Sequence, residues 1–545
     1  MDLSLKAIRA LRTGAQSERD QFMRLWDEVY QYVTPYRKGV SRTGKAQKRS
    51  NLAFDHTAMT SAFRSANRVA QDISPAGQQA FDLKIGPLAM AAMNDNEQKK
   101  LSEELQRAKT VTGAHFQTGE WDISLSEMCL DLMGGTGCML IVPDKRKKLS
   151  RFVAVPLEEV TLGSNGFNEV DKIFWSRKWT IQALADEFGT EKFSEAMMQT
   201  LNDKPSTEYE LAQDTVFDAA NNKWVRIAWV MTGTGGAEGV ELERTTTRRC
   251  PWLTPRYFRV PGETYGRGPA MLAMPTIRAI NTGKRLTLQA AAIAMLGIYT
   301  AIDDGVFNPD NAPLTPGAFW KVARNGGVLG PSVQKFPDPR LDLSQMIFKD
   351  MAMDIQAAMG DQQLPPDTAA VKSATEILER VKRLAGDHMG AFGRLISEIM
   401  VPAVARVMEI AYDFGQLPFI ADIDRLFVDI QISSPLAMAR EAEKLQKLTQ
   451  YVDMAIQVLQ AKAEGLDRYA KSDVFMPDVG RALGVPERYI PSKDEVAQMD
   501  KQAAQKATVQ AAAQAIGQNP ETMGAIAGNL GGGAPAAAAP AQASA

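Results

Sequence analysis

The sequence predicts a mixed, mainly α-helical protein with an α+β N-terminal half and a small β-containing insertion set between two helices. Three observations predict it. Long tracts at both ends place apolar residues at helical spacing, period-two segments cluster between 81 and 232, and a Pro/Gly-dense stretch parts two apolar tracts near 266–299 and 342–359. At 545 residues the chain exceeds one ordinary core, so several substructures are expected.

The first strong element begins at Ser17, which reads as an N-cap. Phe22, Leu25, Trp26, Val29, Tyr30 and Val33 then recur along one helix face until Pro35 stops it. Arg37 to Arg49 follows with six basic residues and no acid, a solvated loop or a phosphate-contacting one. A second helix is expected from Phe54 to Ile73, closed by Pro75, and then a half-buried strand carrying Phe81, Leu83 and Ile85. A third helical tract runs from Glu97 to about Met133 and ends at Gly134-Gly135. The segment "CMLIVPDKRKKLSRFVAVPLEEV" reads as two strands joined by a basic turn, Lys145 to Lys148. The segments "KIFWSRKWT" and "KWVRIAWVMTG" alternate as strands do and flank a helix, "IQALADEFG".

The stretch from Tyr265 to Gly305 opens with two glycines and an arginine and then turns apolar. A phosphate loop needs Gly-Lys-Ser/Thr, whereas Gly283-Lys284 is followed by Arg285. A membrane span is the second reading, because Leu286 to Ile302 carries no charge, yet it holds Thr287, Gln289 and Thr300 and sits at the lower length limit. The third reading keeps the helix and buries it against protein on nearly every side.

Beyond it, "IYTAI", "AFWKVA" and "VQKF" are short β-like runs in a Pro/Gly-rich insertion. A returning helix from about Asp342 to Met359 stacks Leu343, Ile347, Met351, Ile355 and Met359 on one stripe, opposite Asp342, Gln345, Lys349 and Gln356. Paired prolines make 360–372 a loop. Ser373 and Glu376 form a capping box for a long helix bearing Ile377, Val381, Leu384, His388, Phe392, Leu395 and Ile399 on its inner stripe. Pro402 should kink it and Gly415 should stop it. The segment "FVDIQI" reads as a strand, "SPLAMAREAEKLQKLTQYVDMAIQVLQ" as an amphipathic helix, and the Ala/Gly/Pro end as a disordered tail.

Composition narrows the chemistry. A net charge of −2 lacks the cationic excess of a sequence-independent duplex binder. Three cysteines fit neither a disulfide scaffold nor a zinc site and point to synthesis in a reducing compartment; the N-terminus lacks the apolar core of a signal peptide. Three histidines, His56, His115 and His388, lie far apart in sequence, and no metalloprotease, nucleophile-elbow or dinucleotide pattern occurs. Asp422 and Asp424, with Asp429, are the residues from which a metal-dependent nucleic-acid enzyme would be built, although alternating carboxylates usually mark the wet side of a strand.

The order of parts resembles the head-to-tail connector, or portal, proteins of short-tailed phages. The agreement lies in Trp26, Tyr30 and Pro35, in "GETYGRGPAMLAMPTIRAIN" (262–281), "ATEILER" (374–380), "ISEIMVPAVARV" (396–407) and "GQLP" (415–418). The resemblance implies an N-terminal wing over 1–265, a first stem helix over 266–299, a clip over 300–341 and a second stem helix over 342–359. It further implies a channel-lining tunnel loop over 360–372, an inner wing with a long kinked helix over 373–425 and a mainly helical crown over 426–510, before a low-complexity tail at 511–545.

As function, the resemblance implies a non-enzymatic homo-oligomeric ring, usually a dodecamer, at one capsid vertex, with no cofactor or metal. Double-stranded DNA would pass through it without sequence preference. Terminase would dock during packaging and tail adaptor proteins afterwards, with major capsid and scaffolding proteins around it and no membrane. Lys349, Gln356, Asp361, Gln362, Gln363 and Lys372 are the expected channel residues; Phe307, Phe319, Trp320, Lys321 and Arg324 are the expected partner-binding residues of the clip. In such a ring a stem helix touches its own returning partner and the adjacent subunit, so it can be apolar nearly all round without lipid.

Overall fold

Helix α1 (Leu5–Tyr32) is capped by Ser4, whose hydroxyl accepts from the Ala7 amide. It thus begins three turns before the expected start at Ser17. The Ser17 hydroxyl instead donates to the Gly14 carbonyl inside the helix, 2.9 Å away. The computed structural model describes residues 4–37, 53–75, 81–232, 238–296, 299–301, 333–335, 342–361, 374–418 and 428–432. All of them belong to the first of two compact units, Met1–Leu436. The expected amphipathic helix at 434–460, the rest of the crown (426–510) apart from 428–432, and the tail lie outside the described residues.

Helix α2 (Thr57–Ile73) buries a face of small residues, Ala58, Ala62, Ala66 and Ala70, which lets neighbouring helices approach closely. Strand β1 (Phe81–Ile85) follows, then the short α3 (Pro87–Ala92) and α4 (Asp95–Thr118), which opens with a capping box of Asn94 and Glu97. The expected single tract to Met133 is broken, because α5 (Trp121–Leu132) starts after Glu120 in the left-handed conformation, φ 61°. Gly119 explains the break: a Cβ there would lie 2.6 Å from the Ser150 carbonyl, so the chain turns where a strand presses on it. That strand is β3 (Leu149–Ala154), the hairpin partner of β2 (Met139–Asp144) across the expected basic turn.

Next comes a five-stranded antiparallel sheet in sequential order, β4 (Val160–Ser164), β5 (Val170–Thr180), β6 (Glu208–Asp218), β7 (Lys223–Thr232) and β8 (Glu238–Thr247). Between β5 and β6 lie α6 (Ile181–Phe188) and α7 (Glu195–Asp203). Alternation gives the sheet two apolar faces. Ile8 of α1 packs on Phe174, Ala212, Ile227 and Trp229, while Ile181, Leu184 and Met197 pack on Leu211, Ala228 and Val230. Strand β9 (Trp252–Leu253) joins β2, completing a three-stranded sheet.

Helix α8 (Pro269–Leu296) leads to β10 (Tyr299–Ala301), which pairs antiparallel with β11 (Val333–Lys335); α9 (Asp342–Ala358) then returns. The expected β-like run at "AFWKVA" lies outside the described residues. Helix α10 (Ala374–Asp413) passes through Pro402 and stops as expected: Gly415 has φ +70°, and the Gly415 and Gln416 amides donate to the carbonyls of Tyr412 and Ala411. The Ser373 capping box and the inner-stripe side chains from Ile377 to Phe392 lie outside the described residues. Leu395 and Ile399 are fully buried. Strand β12 (Val428–Ile432) pairs antiparallel with β1. The largest apolar cluster joins α2, α4, α5, the base of α8, the end of α9 and the second half of α10.

Candidate functional site

The helix pair α8–α9 springs from a backbone crossing that the glycines make possible. A Cβ on Gly268 would sit 2.1 Å from the Met133 carbonyl oxygen, and one on Gly135 would sit 2.2 Å from that of Gly266. Gly135 also has φ +120°, a conformation that side chains resist. The glycines of "YGRG" therefore let two chain segments touch rather than cradle an anion. Tyr265 locks the crossing from beneath: it is fully buried, meets Trp26 edge-on at 4.8 Å and accepts a hydrogen bond from the Leu162 amide on its hydroxyl. Burial holds the Tyr265 phenol well above its ordinary pKa.

The first turns of α8 bury Ala270, Ala273, Met274, Ile277 and Ile280 in the main cluster. Polar ties then fix its direction. The Asn281 side chain accepts from the Phe54 amide at 2.6 Å, Lys284 pairs with buried Asp55, and Arg278 pairs with Glu28 of α1. Higher up, α9 packs directly on the helix backbone, because Gly283 leaves room for the ring of Phe348.

Away from that seam both helices present apolar groups to solvent. Leu286 is 54% exposed, Leu288 59% and Met346 69%, and Ile347 and Met353 are also open. The stripe expected on α9 is thus corrected. Ile355 and Met359 are buried and Met351 partly so, but Phe348 holds the place given to Ile347, which faces outward. Among the described residues no helix is long and apolar enough to cross a membrane.

Of the expected channel residues, Lys349 is exposed and Gln356 is half-buried. Asp361 is largely buried at the end of the turn after α9; its amide donates to the Gln356 carbonyl and its carboxylate lies 3.6 Å from Arg64 of α2. Gln362, Gln363 and Lys372 lie outside the described residues, as do Phe307, Phe319, Trp320, Lys321 and Arg324. So do Asp422 and Asp424, while Asp429 sits on β12 directly opposite Lys84. Among the described residues no cluster of His, Cys, Asp or Glu could hold a metal.

Helix α10 is held by polar side chains to the segment that precedes α8. Glu398 accepts from the Arg256 amide at 2.9 Å, and Glu409 accepts from the Arg248 amide at 2.6 Å while pairing with buried Arg406. Gln416, just past its end, meets Nε2 of buried His115 at 2.6 Å. Because His115 Nδ1 accepts the Ser150 amide, the ring proton is on Nε2 and is donated to Gln416. His115 is a satisfied core residue; the His388 side chain lies outside the described residues.

The sequence of residues 5–490 matches the model of a family described as bacteriophage head to tail connecting protein. The chain belongs to that family. It is also similar to a protein described as a probable portal protein of Bordetella phage BPP-1, at 23% identity over 535 residues and 91% of each chain. A chain from a structure titled "Virion of native gene transfer agent (GTA) particle" aligns with a TM-score of 0.32 at 11% identity, over 73% of this chain and 87% of that one. The resemblance carried by "GETYGRGPAMLAMPTIRAIN" and its companions is thus borne out, and the connector's role is to join a phage head to its tail. Its family is structural rather than catalytic. Sequence reasoning missed Gly135, Asn281, Asp55 and Phe348 as determinants of the helix pair. Only the glycines left a visible signal, as the repeated pairs 134–135 and 266–268.

Proposed function

We propose that the connector works as a closed ring of identical copies, a dodecamer by family likeness, with its axis as the DNA conduit. One observation carries the reading: in a single chain the outer faces of α8 and α9 leave leucine, isoleucine and methionine side chains in water. Each such side chain is already partly covered, and covering the remainder gains on the order of 1 kcal/mol. A neighbouring copy supplies the cover through a heterologous interface that closes by rotation. In this reading α8 and α9 are the stem, the insertion joined by β10 and β11 is the clip, and 360–372 is the tunnel loop. The wing precedes α8, and α10 begins the inner wing.

The finer assignments follow the same reading. Double-stranded DNA passes without sequence recognition along Lys349, Gln356, Asp361, Gln362, Gln363 and Lys372. Terminase and then tail adaptors meet the clip at Phe307, Phe319, Trp320, Lys321 and Arg324, while capsid and scaffolding proteins surround the wing. The connector catalyses nothing in this scheme. Its near-neutral charge suits a conduit, because each lysine–phosphate contact releases counterions and tightens the grip on the moving duplex.

The test is assembly. The purified full chain should form rings with a central hole under negative stain. The Leu286→Glu, Leu288→Glu double variant should remain a folded monomer at concentrations at which the unsubstituted chain is fully assembled, since buried unpaired carboxylates are costly. A monodisperse monomer of the unsubstituted chain would overturn the ring.

A further inference from the structure

The turn between β4 and β5 carries an apolar tip on an unusually well-tied backbone. Phe167 is 86% exposed, yet nearly every polar group around it is engaged. The Asn165 side chain accepts from the amides of Phe167 and Glu169 at 3.0 and 2.9 Å. Asn168 adopts φ 61° and donates from its side chain to the Val260 carbonyl. Arg259 donates to the carbonyls of both Phe167 and Asn168, at 2.7 and 2.6 Å, and Arg256 donates to that of Asn168 at 3.0 Å.

A lone exposed phenylalanine on a loop is ordinary. Here two arginines from a distant segment hold the tip, and a second exposed aromatic, Phe258, adjoins them in sequence. A fixed backbone has little freedom left to lose on docking, and a rigid aromatic is the usual anchor of a protein interface.

The position of the tip says what covers it. Phe258 pairs through both backbone hydrogen bonds with Arg267, two residues before α8 begins. Leu272, in the first turn of α8, is 68% exposed. The tip therefore stands at the root of the helix whose upper apolar side chains, Leu286 and Leu288, are assigned above to the neighbouring copy. We infer that Phe167 anchors a subunit–subunit contact, the β4–β5 tip seating in the adjacent copy of this chain with Arg256 and Arg259 as its struts. This rests on the ring reading and adds to it a contact outside the helix pair.

The experiment uses the assembled full chain with a photoreactive benzoylphenylalanine in place of Phe167. Irradiation should give a ladder of cross-linked multimers on a denaturing gel. In parallel, Phe167→Asp should raise the concentration needed for ring formation about thirtyfold or more, the effect of losing one hot-spot residue. Its thermal unfolding as a monomer should be unchanged, because the ring of Phe167 covers nothing in its own chain. Rings forming equally well in Phe167→Asp, or cross-links confined to single chains or made only to a head or tail protein during assembly, would overturn the anchor and leave the ring reading standing. If the unsubstituted chain forms no rings, the ring reading itself falls, and the anchor with it.

Discussion

Asp131 is a buried carboxyl group set against Arg37, the residue at which the basic segment begins. Its carboxylate receives Arg37 Nε at 3.0 Å, and Arg37 also reaches Glu127 at 3.1 Å. The two partners respond unequally. Burial, only partly offset by Arg37, pushes Asp131 up to about 7, whereas Arg37, although itself largely buried, is held above its ordinary range by the two acids. In the unfolded chain an aspartate releases its proton near 4; in the folded chain Asp131 keeps it until about 7. Between those values the folded state binds the extra proton, so stability falls as pH rises. Asp214, also pushed up by burial, to about 6, adds a second contribution of the same sign below that pH. Thermal melts of Asp131→Asn should therefore show a shallower decline than the unsubstituted chain between pH 4 and 6 and none of its own between 6 and 7. Parallel curves for the two proteins would mean that Asp131 is ionised throughout, held by Arg37.

The crossing of Gly135 with Gly266 and Gly268 decides where α8 can point. A methyl group on Gly268 would meet the Met133 carbonyl at 2.1 Å and the Gly135 amide at 2.5 Å, both backbone atoms without rotamers to yield. Gly268→Ala should cost about 3 kcal/mol or more, at the upper end of overpacking effects. Gly14→Ala, where nothing lies within 4 Å, should instead stabilise α1 slightly, by up to about 1 kcal/mol. Thermal or denaturant unfolding compares the two, and equal effects would remove the crossing as a structural determinant. The same elements show what the sequence could disclose. Helices α2, α6, α9 and α10 were legible from apolar residues at helical spacing, α8 from its long uncharged run, and β5 and β7 from their alternation; the short α3 and α7 were not read, and α4 and α5 were read as one tract. Strand β6 was not, since its inner positions include Gln213, Asp214 and Thr215, satisfied by Arg226, by Arg12 with Trp229, and by Trp252. A strand that buries paired polar groups hides its own pattern, and the partners that neutralise them lie far away in sequence. The start of α1 was hidden for a related reason, because Ser17 has cap chemistry but spends it inside the helix.

At the scale of the molecule, α9 and α10 are the described elements on either side of 362–373, the segment assigned above to the channel. One end is set by Gly360, φ +72°, with Asp361 bonded to the Gln356 carbonyl and facing Arg64, and Ser65 donating to the Met359 carbonyl at 2.8 Å. On the other side α10 begins at Ala374, and Glu398 and Glu409 in its second half accept from the backbone amides of Arg256 and Arg248. Because the end at Gly360–Asp361 is held by contacts of its own, the identity of residues 362–370 should matter little for folding and, on the conduit reading proposed above, greatly for the DNA that passes beside them. Replacing 362–370 by a Gly/Ser stretch of equal length keeps the reach while removing Gln362 and Gln363. On the ring reading proposed above, rings should then form in normal yield and with an unchanged melting temperature, while nuclease-protected DNA in heads assembled with the variant should drop sharply. Collapse of the rings would show that the loop braces the subunits, and full packaging would show that the conduit does not work through it.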